Sequence, residues 1–495
     1  MDAGTRRKAR VADCAGEPQS GWFGADPGAP PSRESKGSSS FGILAMTAAL
    51  KSRAERYKYG RELRARTPRE AHAELRGPRD RDPVAILAES DAERVAELLP
   101  ERYKRMMADP FGFLRGAAAV MAADLKHQPM AGAPVQACGD CHLMNFGAFN
   151  SPEDSILFDI NDFDETLPGV DFTVDVKRLA ASVAVAAGAA NMSDKRARSL
   201  AAGAVTAYRE HMFGLIGLSP LEIWHSRVDL EEELKEIENP ALRRSLSTVI
   251  RHARRRGLDK DDNFPHLVAG GEPRIADKPP TIFHITPKTL GGRKVDFARC
   301  FALYRATLTP DPTVLLDRYR LRDVAFKAVG VGSVGTICVV GLFIDGDNEP
   351  LFLQVKQAQR SALERLSETL AYQGPQGRRV VEGQRMMQAA SDIFLGWTSD
   401  EPVGLDFYVR VLKNRRLGAV SDLAEQEALS EYARLCGRTL ARSHARTGEP
   451  AVIAGYMGRG DAFDDALASF AMAYARQTVK DHAALVKAKG GAEAR

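Results

Sequence analysis

The sequence has few cysteines for its length, six in 495 residues. They are Cys14, Cys138, Cys141, Cys300, Cys338 and Cys436. A disulfide framework requires a higher density of cysteines, usually in a much shorter secreted chain. This low count therefore excludes a disulfide scaffold, and we expect a cytoplasmic protein.

Long apolar runs are also missing. The longest alanine-rich apolar stretch, residues 179–190, is flanked by charged or polar residues. It is shorter than the roughly 20 residues that a membrane-spanning helix needs. Residues 41–50 resemble the apolar part of a signal peptide, but they begin too far from the N-terminus and lack a suitable cleavage site. We therefore expect no segment in the membrane.

A strong net charge is the third absence. Lys and Arg total 69 against 65 Asp and Glu, so the formal net charge is +4. The main basic cluster, RHARRR at residues 251–256, lies among helix-forming residues and has no aromatic neighbours, which favours a solvated helix face. We expect neither a nucleic acid nor a membrane surface as a partner.

The composition supports a large folded protein, because 44% of the residues are hydrophobic. The pattern is α+β and predicts four regions. Residues 1–45 are expected to be a disordered extension, and residues 46–310 a helical large lobe. This lobe includes a predicted helix at residues 110–125 and a predicted surface loop or linker at residues 279–292. Residues 311–420 form a small lobe rich in β-structure. Residues 421–495 are expected to be helices that pack on the large lobe.

A polar segment at residues 139–165, GDCHLMNFGAFNSPEDSILFDINDFDE, carries the first candidate site. A predicted strand at residues 134–137 leads to Asp140, which is followed five residues later by Asn145. A second predicted strand, the apolar run at residues 156–160, then leads to Asp162. In kinase-type phosphotransferases, one Asp accepts the proton of the attacking hydroxyl, an Asn five residues on binds Mg²⁺, and a second Asp binds it too. Asp140 is thus the candidate base, and Asn145 and Asp162 are the candidate Mg²⁺ ligands.

A glycine-rich stretch near residue 330 carries the second candidate site. Gly330, Gly332, Ser333 and Gly335 lie in a turn between two apolar segments with strand character, and a third strand ends near Lys356. The absence of a helix directly after the last glycine separates this turn from a dinucleotide-binding fingerprint. A kinase-type loop covers the phosphates of ATP, which a lysine on the third strand also contacts. These residues therefore predict an ATP site.

The surroundings of Lys356 complete the predicted small lobe. Residues 361–370 look helical, and Glu364 is the preferred ion-pair partner of Lys356, with Glu368 and Glu382 as alternatives. Residues 393–398 and 406–412 predict two more strands, which gives a small antiparallel lobe of five strands. An adenine-binding hinge would lie at residues 410–412.

The motifs GDCHLMNF, DINDFDE and G-x-D-F-x-x-D resemble the catalytic segments of the aminoglycoside and choline phosphotransferase branch of the protein kinase-like superfamily. The resemblance implies a two-lobed kinase-like fold that uses ATP and Mg²⁺. Its register favours Asp162 over Asp159 as the metal ligand, since Gly169 follows Asp162 at the family's spacing. It also matches Asp175 to an acid that braces the catalytic loop.

The order of the motifs differs from that superfamily. There the glycine loop and lysine precede the catalytic loop, whereas Asp140 here precedes Lys356, so we expect a circular permutation. From about residue 51 onward, segments such as AHAEL, PFGFLRGAA, DVKRLAAS and FLQVK resemble a widespread bacterial family known as domain of unknown function 2252. That family resemblance implies no substrate, and the acceptor stays open between a small molecule and a protein.

Several other interpretations compete. Asp140 and Asn145 are also typical of a turn in which Asx side chains cap backbone groups. A nucleotide-binding pseudokinase or scaffold would keep the same motifs without catalysis, and a kinase-fold AMP transferase would share them. The sequence Cys138-Gly-Asp-Cys141-His142 also matches the attachment motif of c-type haem. A kinase-like phosphotransferase acting on a hydroxyl acceptor explains the motifs together.

Overall fold

A computed structural model describes most of the chain after residue 50. The described residues are 51–254 apart from 79, 264–268, 272–279, 281–286, 290, 292–327, 332, 334–412 and 428–490. They all belong to one compact unit. The predicted extension at residues 1–45 lies outside them, as do Gly330 and Ser333. The boundaries predicted near residues 310 and 420 stay predictions.

Helices make up most of the described structure. They are α1 Arg53–Leu63, α2 Pro83–Ser90, α3 Leu99–Met107, α4 Pro110–Gly116, α5 Ala118–Leu125, α6 Thr173–Ala189, α7 Asp194–Leu215, α8 Pro220–His225, α9 Leu230–Glu236, α10 Pro240–Arg254, α11 Phe297–Ala306, α12 Pro310–Leu316, α13 Gln376–Met387, α14 Leu429–Ala445, α15 Pro450–Met457 and α16 Ala462–Gly490. None of these helices combines the length and the apolar character needed to cross a bilayer.

The strands form one large sheet and two small ones. They are β1 Pro134–Ala137, β2 Phe146–Asn150, β3 Ile156–Ile160, β4 Leu167–Asp171, β5 Ile282–His284, β6 Arg320–Lys327, β7 Cys338–Ile344, β8 Pro350–Ala358, β9 Gly396–Asp400 and β10 Leu405–Val411. β1 pairs with β4, and β2 pairs with β3. The large sheet has the order β5-β6-β7-β8-β10-β9, and each neighbouring pair is antiparallel.

The helical core is organised around α6. Its residues are buried from Thr173 to Ala187, as expected for an alanine-rich helix that is apolar nearly all round. α7 and α16 pack against it, and α14 packs on α7. A Cβ on Gly437 of α14 would lie 2.2 Å from the carbonyl oxygen of Ala204 on α7, so this close approach requires glycine. The last helices therefore share their core with helices from the first half of the chain.

The large sheet has six strands, so the prediction of five is wrong by one. The added strand, β5, lies within residues 279–292, which are predicted to be a loop or linker. Phe283 stacks on Phe326 of β6 with ring centroids 5.1 Å apart, and His284 lies 3.0 Å from the carboxylate of Asp323. A strand of three residues is too short to show an alternating pattern in the sequence. Tertiary contacts rather than local sequence stabilise it.

Breaks in two predicted helices shape the candidate site. The helical pattern over residues 110–125 is interrupted at Ala117, whose φ and ψ are −111° and 36°. Arg102 donates a hydrogen bond of 2.7 Å to the freed carbonyl of Gly116. Residues 361–370 form two short 3₁₀ turns, Ala362–Leu366 and Glu368–Leu370, in place of one helix. Both breaks lie beside the cavity described next.

Candidate functional site

One cavity of about 510 Å³ lies among segments that are far apart in the sequence. Ligand sites commonly have volumes of roughly 300–1,000 Å³, so its size fits a metabolite or part of a nucleotide. Its acidic lining includes Asp140, Asp162, Asp164 and Glu165. Gly332 from the glycine-rich stretch lines it as well. The cavity thus joins both predicted sites.

The turn that carries Asp140 is held by contacts that few other residues permit. Gly139 has φ of +86°, and a Cβ there would lie 2.2 Å from the carbonyl oxygen of Glu165. Asp175, at the start of α6, accepts hydrogen bonds from the N–H groups of Cys138 at 2.7 Å and Gly139 at 3.0 Å. The loop is therefore clamped between the acidic turn and α6, and Asp175 braces it.

The carboxyl group of Asp140 has two unlike oxygens. Oδ1 accepts hydrogen bonds from Nε of Arg178 at 2.9 Å and from Nη2 of the same side chain at 2.5 Å. Nε2 of His142 lies 3.6 Å from Oδ2, beyond hydrogen-bond distance. A Cβ on Gly332 would lie 4.0 Å from this second oxygen. Oδ2 is therefore the oxygen next to the glycine-rich stretch.

Asn145 lies directly behind Asp140. Its side-chain amide donates a hydrogen bond of 2.7 Å to the backbone carbonyl of Asp140. The backbone carbonyl of Asn145 accepts a hydrogen bond of 2.8 Å from the N–H of Asn161. Asn161 precedes Asp162, so these backbone contacts join the loop of Asp140 to the turn that follows β3. The structure thereby brings all three residues of the predicted catalytic and metal set together.

Asp162 and Asp159 have different surroundings. Asp162 lines the cavity, and its Oδ1 accepts a hydrogen bond of 3.2 Å from the N–H of Asp164. Asp159 is fully buried and forms an ion pair of 2.5 Å with Arg442, which is equally buried. Because Asp159 neutralises a core arginine and does not line the cavity, the arrangement favours Asp162 as the candidate metal ligand.

Lys356 reaches the same acidic turn from the sheet. It is buried on β8, opposite Tyr408 of β10, and forms an ion pair with Asp164. The hydroxyl of Tyr408 donates a hydrogen bond of 2.8 Å to the other oxygen of Asp164. Lys356 therefore lies behind Asp164 and does not itself line the cavity. Residues from the first and last thirds of the chain meet here.

The preferred partner of Lys356 from sequence, Glu364, is corrected by these contacts. Glu364 lines the cavity but forms an ion pair of 2.5 Å with Arg360, four residues earlier. Glu382 likewise pairs with Arg378 at 2.7 Å. Short 3₁₀ turns replace the expected helix, so no regular helix presents Glu364 to β8. Asp164, and not a glutamate, is the ion-pair partner of Lys356.

The acids of the turn titrate differently because their surroundings differ. Burial, together with the charge of Asp164, raises the pKa of Asp162. Burial also acts on Asp164, but the charge and hydrogen bond of Lys356 outweigh it and lower the pKa of Asp164. Lys356 is itself desolvated, yet the charges of Asp162 and Asp164 raise its pKa. The pair Lys356–Asp164 is thus ionised.

The described part of the glycine-rich stretch is tied to the helical part of the protein. Arg102 donates a hydrogen bond of 3.2 Å to the carbonyl of Gly332, and Arg94 donates one of 2.7 Å to that of Val334. Gly335 has φ of +95°, and its carbonyl accepts a hydrogen bond of 2.7 Å from the N–H of Val95. Gly332 reaches the cavity, whereas Gly335 is not part of its lining.

Sequence motifs missed the arginines of this site. Five line the cavity: Arg94, Arg102, Arg115, Arg360 and Arg365. They lie outside the two candidate-site segments, and only the fold brings them together. The sequence could have predicted Arg178 as a site residue, because it lies three residues after Asp175 and therefore on the same face of α6. Guanidinium groups are suited to phosphate and carboxylate ligands.

Asp162 and Asn145 are the residues that could hold a metal ion at this site. Carboxylate and amide oxygens are hard ligands, and Mg²⁺ commonly uses one or two protein carboxylates together with waters and phosphate oxygens. Asp162 with the side chain of Asn145 would be such a set. The described residues contain no group of three or more His, Cys, Asp or Glu side chains arranged to hold a metal ion.

The cysteines of the CGDCH motif lie in the core. Cys138 and Cys141 are at most 1% exposed, and burial raises the pKa of both thiols. A protonated thiol in the core is unreactive. The five cysteines in the described part of the chain are all unpaired. These surroundings do not favour haem attachment.

Glu165 provides a pH-dependent test of the acidic turn. Burial raises its pKa from 4.5 to about 7. The folded state therefore favours the protonated form, so this contribution to stability is fully present below pH 4.5 and is lost as the pH rises through about 7. Relative to Glu165→Gln, we expect the wild-type free energy of unfolding to fall by about 3 kcal/mol at most over this window. Urea unfolding at several pH values measures the difference in free energy of unfolding between the two proteins. A difference that does not change with pH would contradict the raised pKa of Glu165.

Comparison with known proteins identifies the family of this chain. A family model described as "Uncharacterized protein conserved in bacteria (DUF2252)" matches residues 94–488, which is more than half of the chain. The match includes every residue that lines the cavity except four at its edge, Glu89, Ser90, Ala92 and Glu93. Curated proteins and solved structures give no match. The chain therefore belongs to the bacterial family DUF2252.

Proposed function

We propose that this protein is an ATP-dependent phosphotransferase of the kinase-like type, which transfers a phosphoryl group to a hydroxyl acceptor. The observation that carries the proposal is the convergence on one cavity of Asp140 and Asp162 from the polar segment and Gly332 from the glycine-rich stretch. The ion pair between Lys356 and Asp164 supports it, because it brings the third-strand lysine to the acidic turn. The proposed nucleotide site lies at this junction.

The proposed reaction assigns one task to each residue. Asp140 accepts the acceptor's hydroxyl proton as the acceptor oxygen bonds to the γ-phosphorus. The bond from this phosphorus to the bridging oxygen breaks, and ADP leaves with the electron pair. Asn145 and Asp162 would hold Mg²⁺, which neutralises charge on the phosphates when bound. Lys356 supplies a fixed positive charge behind Asp164, and the arginines of the cavity provide phosphate contacts.

A circularly permuted, two-lobed kinase-like fold is part of the proposal. The six-stranded sheet would be the small lobe and the helices around α6 the large lobe. In this order the catalytic segment precedes the glycine-rich stretch in the chain. Contacts between α14 and α7, and between α16 and α6, support the permutation because they place the C-terminal helices beside the helices that follow the catalytic segment. The proposed site of action is the cytoplasm, where cysteines stay reduced and ATP is available.

Transfer of labelled phosphate tests the proposal. Purified protein is incubated with Mg²⁺, γ-labelled ATP and a fractionated bacterial extract containing small molecules and proteins. We expect a labelled product together with ADP, and loss of both when Mg²⁺ is removed with a chelator. A parallel reaction with α-labelled ATP separates phosphoryl transfer from AMP transfer, since only the latter labels the product from the α position.

The remaining outcomes separate the alternatives. Mg-ATP binding without label transfer or ADP formation would indicate a nucleotide-binding protein without catalysis. No binding of Mg-ATP at millimolar concentration would reject the proposed nucleotide site.

A further inference from the structure

We infer that Arg178 is a positioning residue that fixes the carboxylate of Asp140, so that Oδ2 and not Oδ1 takes the acceptor's proton. This inference rests on the proposed function. The two hydrogen bonds that Arg178 donates to Asp140 both go to Oδ1, at 2.9 Å and 2.5 Å. Among the described residues, none donates a hydrogen bond to Oδ2. The guanidinium therefore occupies one oxygen and leaves the other for the cavity.

The side chain of Arg178 has little freedom to move. It is 2% exposed, and the same Nη2 that reaches Asp140 also donates a hydrogen bond of 2.7 Å to the carbonyl of Leu114. Nη1 lies 3.4 Å from the sulfur of Met121. These contacts fix the planar guanidinium against α4 and α5. A carboxylate bonded to a fixed donor has a fixed orientation of its own.

Arg178 and Asp175 act on the loop from one helix face. They lie three residues apart on α6, so their side chains project to the same side. Asp175 accepts hydrogen bonds from the backbone of Cys138 and Gly139, while Arg178 holds the side chain of Asp140. The backbone and the side chain are thus held separately. Loss of Arg178 should release the carboxylate while Asp175 still holds the loop.

In the proposed step, the acceptor's O–H proton moves to Oδ2 of Asp140. The acceptor oxygen simultaneously forms its bond to the γ-phosphorus, and the bond to the bridging oxygen breaks to release ADP. Orientation contributes to such a step because a misplacement of about 1 Å can cost roughly 10²-fold in rate. Arg178 therefore affects kcat rather than nucleotide binding.

Arg178→Lys tests this role, because lysine keeps the charge but cannot supply two fixed donors. We expect kcat to fall by roughly 10- to 100-fold with little change in the KM for ATP. Carboxyl labelling with a carbodiimide and an amine, read by mass spectrometry, gives a measurement that does not need activity. Asp140 should be labelled several times faster in Arg178→Lys than in the wild type. Arg178→Met provides a second variant without the charge.

A matched control and a double variant separate positioning from general stability. Arg209 makes a comparable ion pair with Asp464, at 2.8 Å, between α7 and α16. Arg209→Lys should lower the melting temperature without changing kcat or the labelling of Asp140. In the Asp140→Asn background, Arg178→Lys should cause no further loss of turnover, because its effect passes through the carboxylate.

The labelling and turnover results decide whether Arg178 positions Asp140. Unchanged labelling of Asp140 in Arg178→Lys, or an equal loss of turnover in the Asp140→Asn background, would overturn it. If the wild type neither transfers phosphate nor hydrolyses ATP, the proposed function fails and the assignment of the proton to Oδ2 fails with it. Faster labelling would in that case still support Arg178 as the residue that holds Asp140.

Discussion

Asp140→Asn should remove phosphoryl transfer while leaving Mg-ATP binding nearly intact. The amide keeps the size of the carboxylate and can still accept a hydrogen bond from Arg178, but it cannot take a proton. General base catalysis commonly contributes about 10²- to 10⁴-fold, so we expect kcat to fall by about 10³-fold. Steady-state ADP release measures kcat, and titration with a fluorescent ATP analogue measures binding.

A matched control is Asp347→Asn, in the exposed turn between β7 and β8. It removes the same charge far along the sheet and should leave turnover unchanged. Wild-type turnover in Asp140→Asn would reject the assignment of Asp140 as the base. Loss of nucleotide binding in that variant would instead indicate that Asp140 is part of the nucleotide site.

The sequence predicts correctly the two short strands that lead to Asp140 and Asp162. The strand that delivers Asp140 is predicted at residues 134–137 and found as β1, because its apolar residues end at a glycine turn. The strand before Asp162 is also found where it is predicted, as β3. Short strands with clear ends can be read from a pattern when turn residues bound them.

Contacts between distant segments are what the sequence did not reveal. Asp164 as the partner of Lys356 depends on how the sheet lies against the acidic turn, and no spacing within either segment encodes that. Arg102 lies at the cavity beside the break at Ala117, where it donates a hydrogen bond to the carbonyl of Gly116. β5 forms only because β6 offers it an edge. Such features follow from tertiary packing, which overrides short local patterns.

The charges of the cavity suggest why the acidic turn is built with a buried lysine behind it. Asp162 and Asp164 lie two residues apart, and the charge of Asp164 raises the pKa of Asp162. Lys356 neutralises Asp164 from the side away from the cavity. Among the described residues, Asp162 forms no ion pair with a lysine, and it lines the cavity. This arrangement separates a structural carboxylate from one available to a cation.

Asp164→Asn should lower the free energy of unfolding by about 3–5 kcal/mol, because it leaves the buried Lys356 without its partner. Lys356→Met should cost less, about 1–3 kcal/mol, because the side chain of Asp164 is 27% exposed and keeps its hydrogen bond from Tyr408. The double variant should recover much of the loss, because replacing both members of a buried pair is often nearly neutral. Urea unfolding of the four proteins measures the coupling.

A surface pair provides the control for this cycle, and nucleotide binding gives a second result. Lys235 and Glu232 are 2.7 Å apart and both largely exposed, so Lys235→Met should leave the free energy of unfolding nearly unchanged. Additive losses in the Lys356 and Asp164 cycle would mean that the two residues do not act as a pair. If the pair serves only stability, the recovered double variant should bind Mg-ATP as the wild type does. We expect it to remain folded and to bind Mg-ATP more weakly, because the ion pair that holds the acidic turn beside Asp162 is absent.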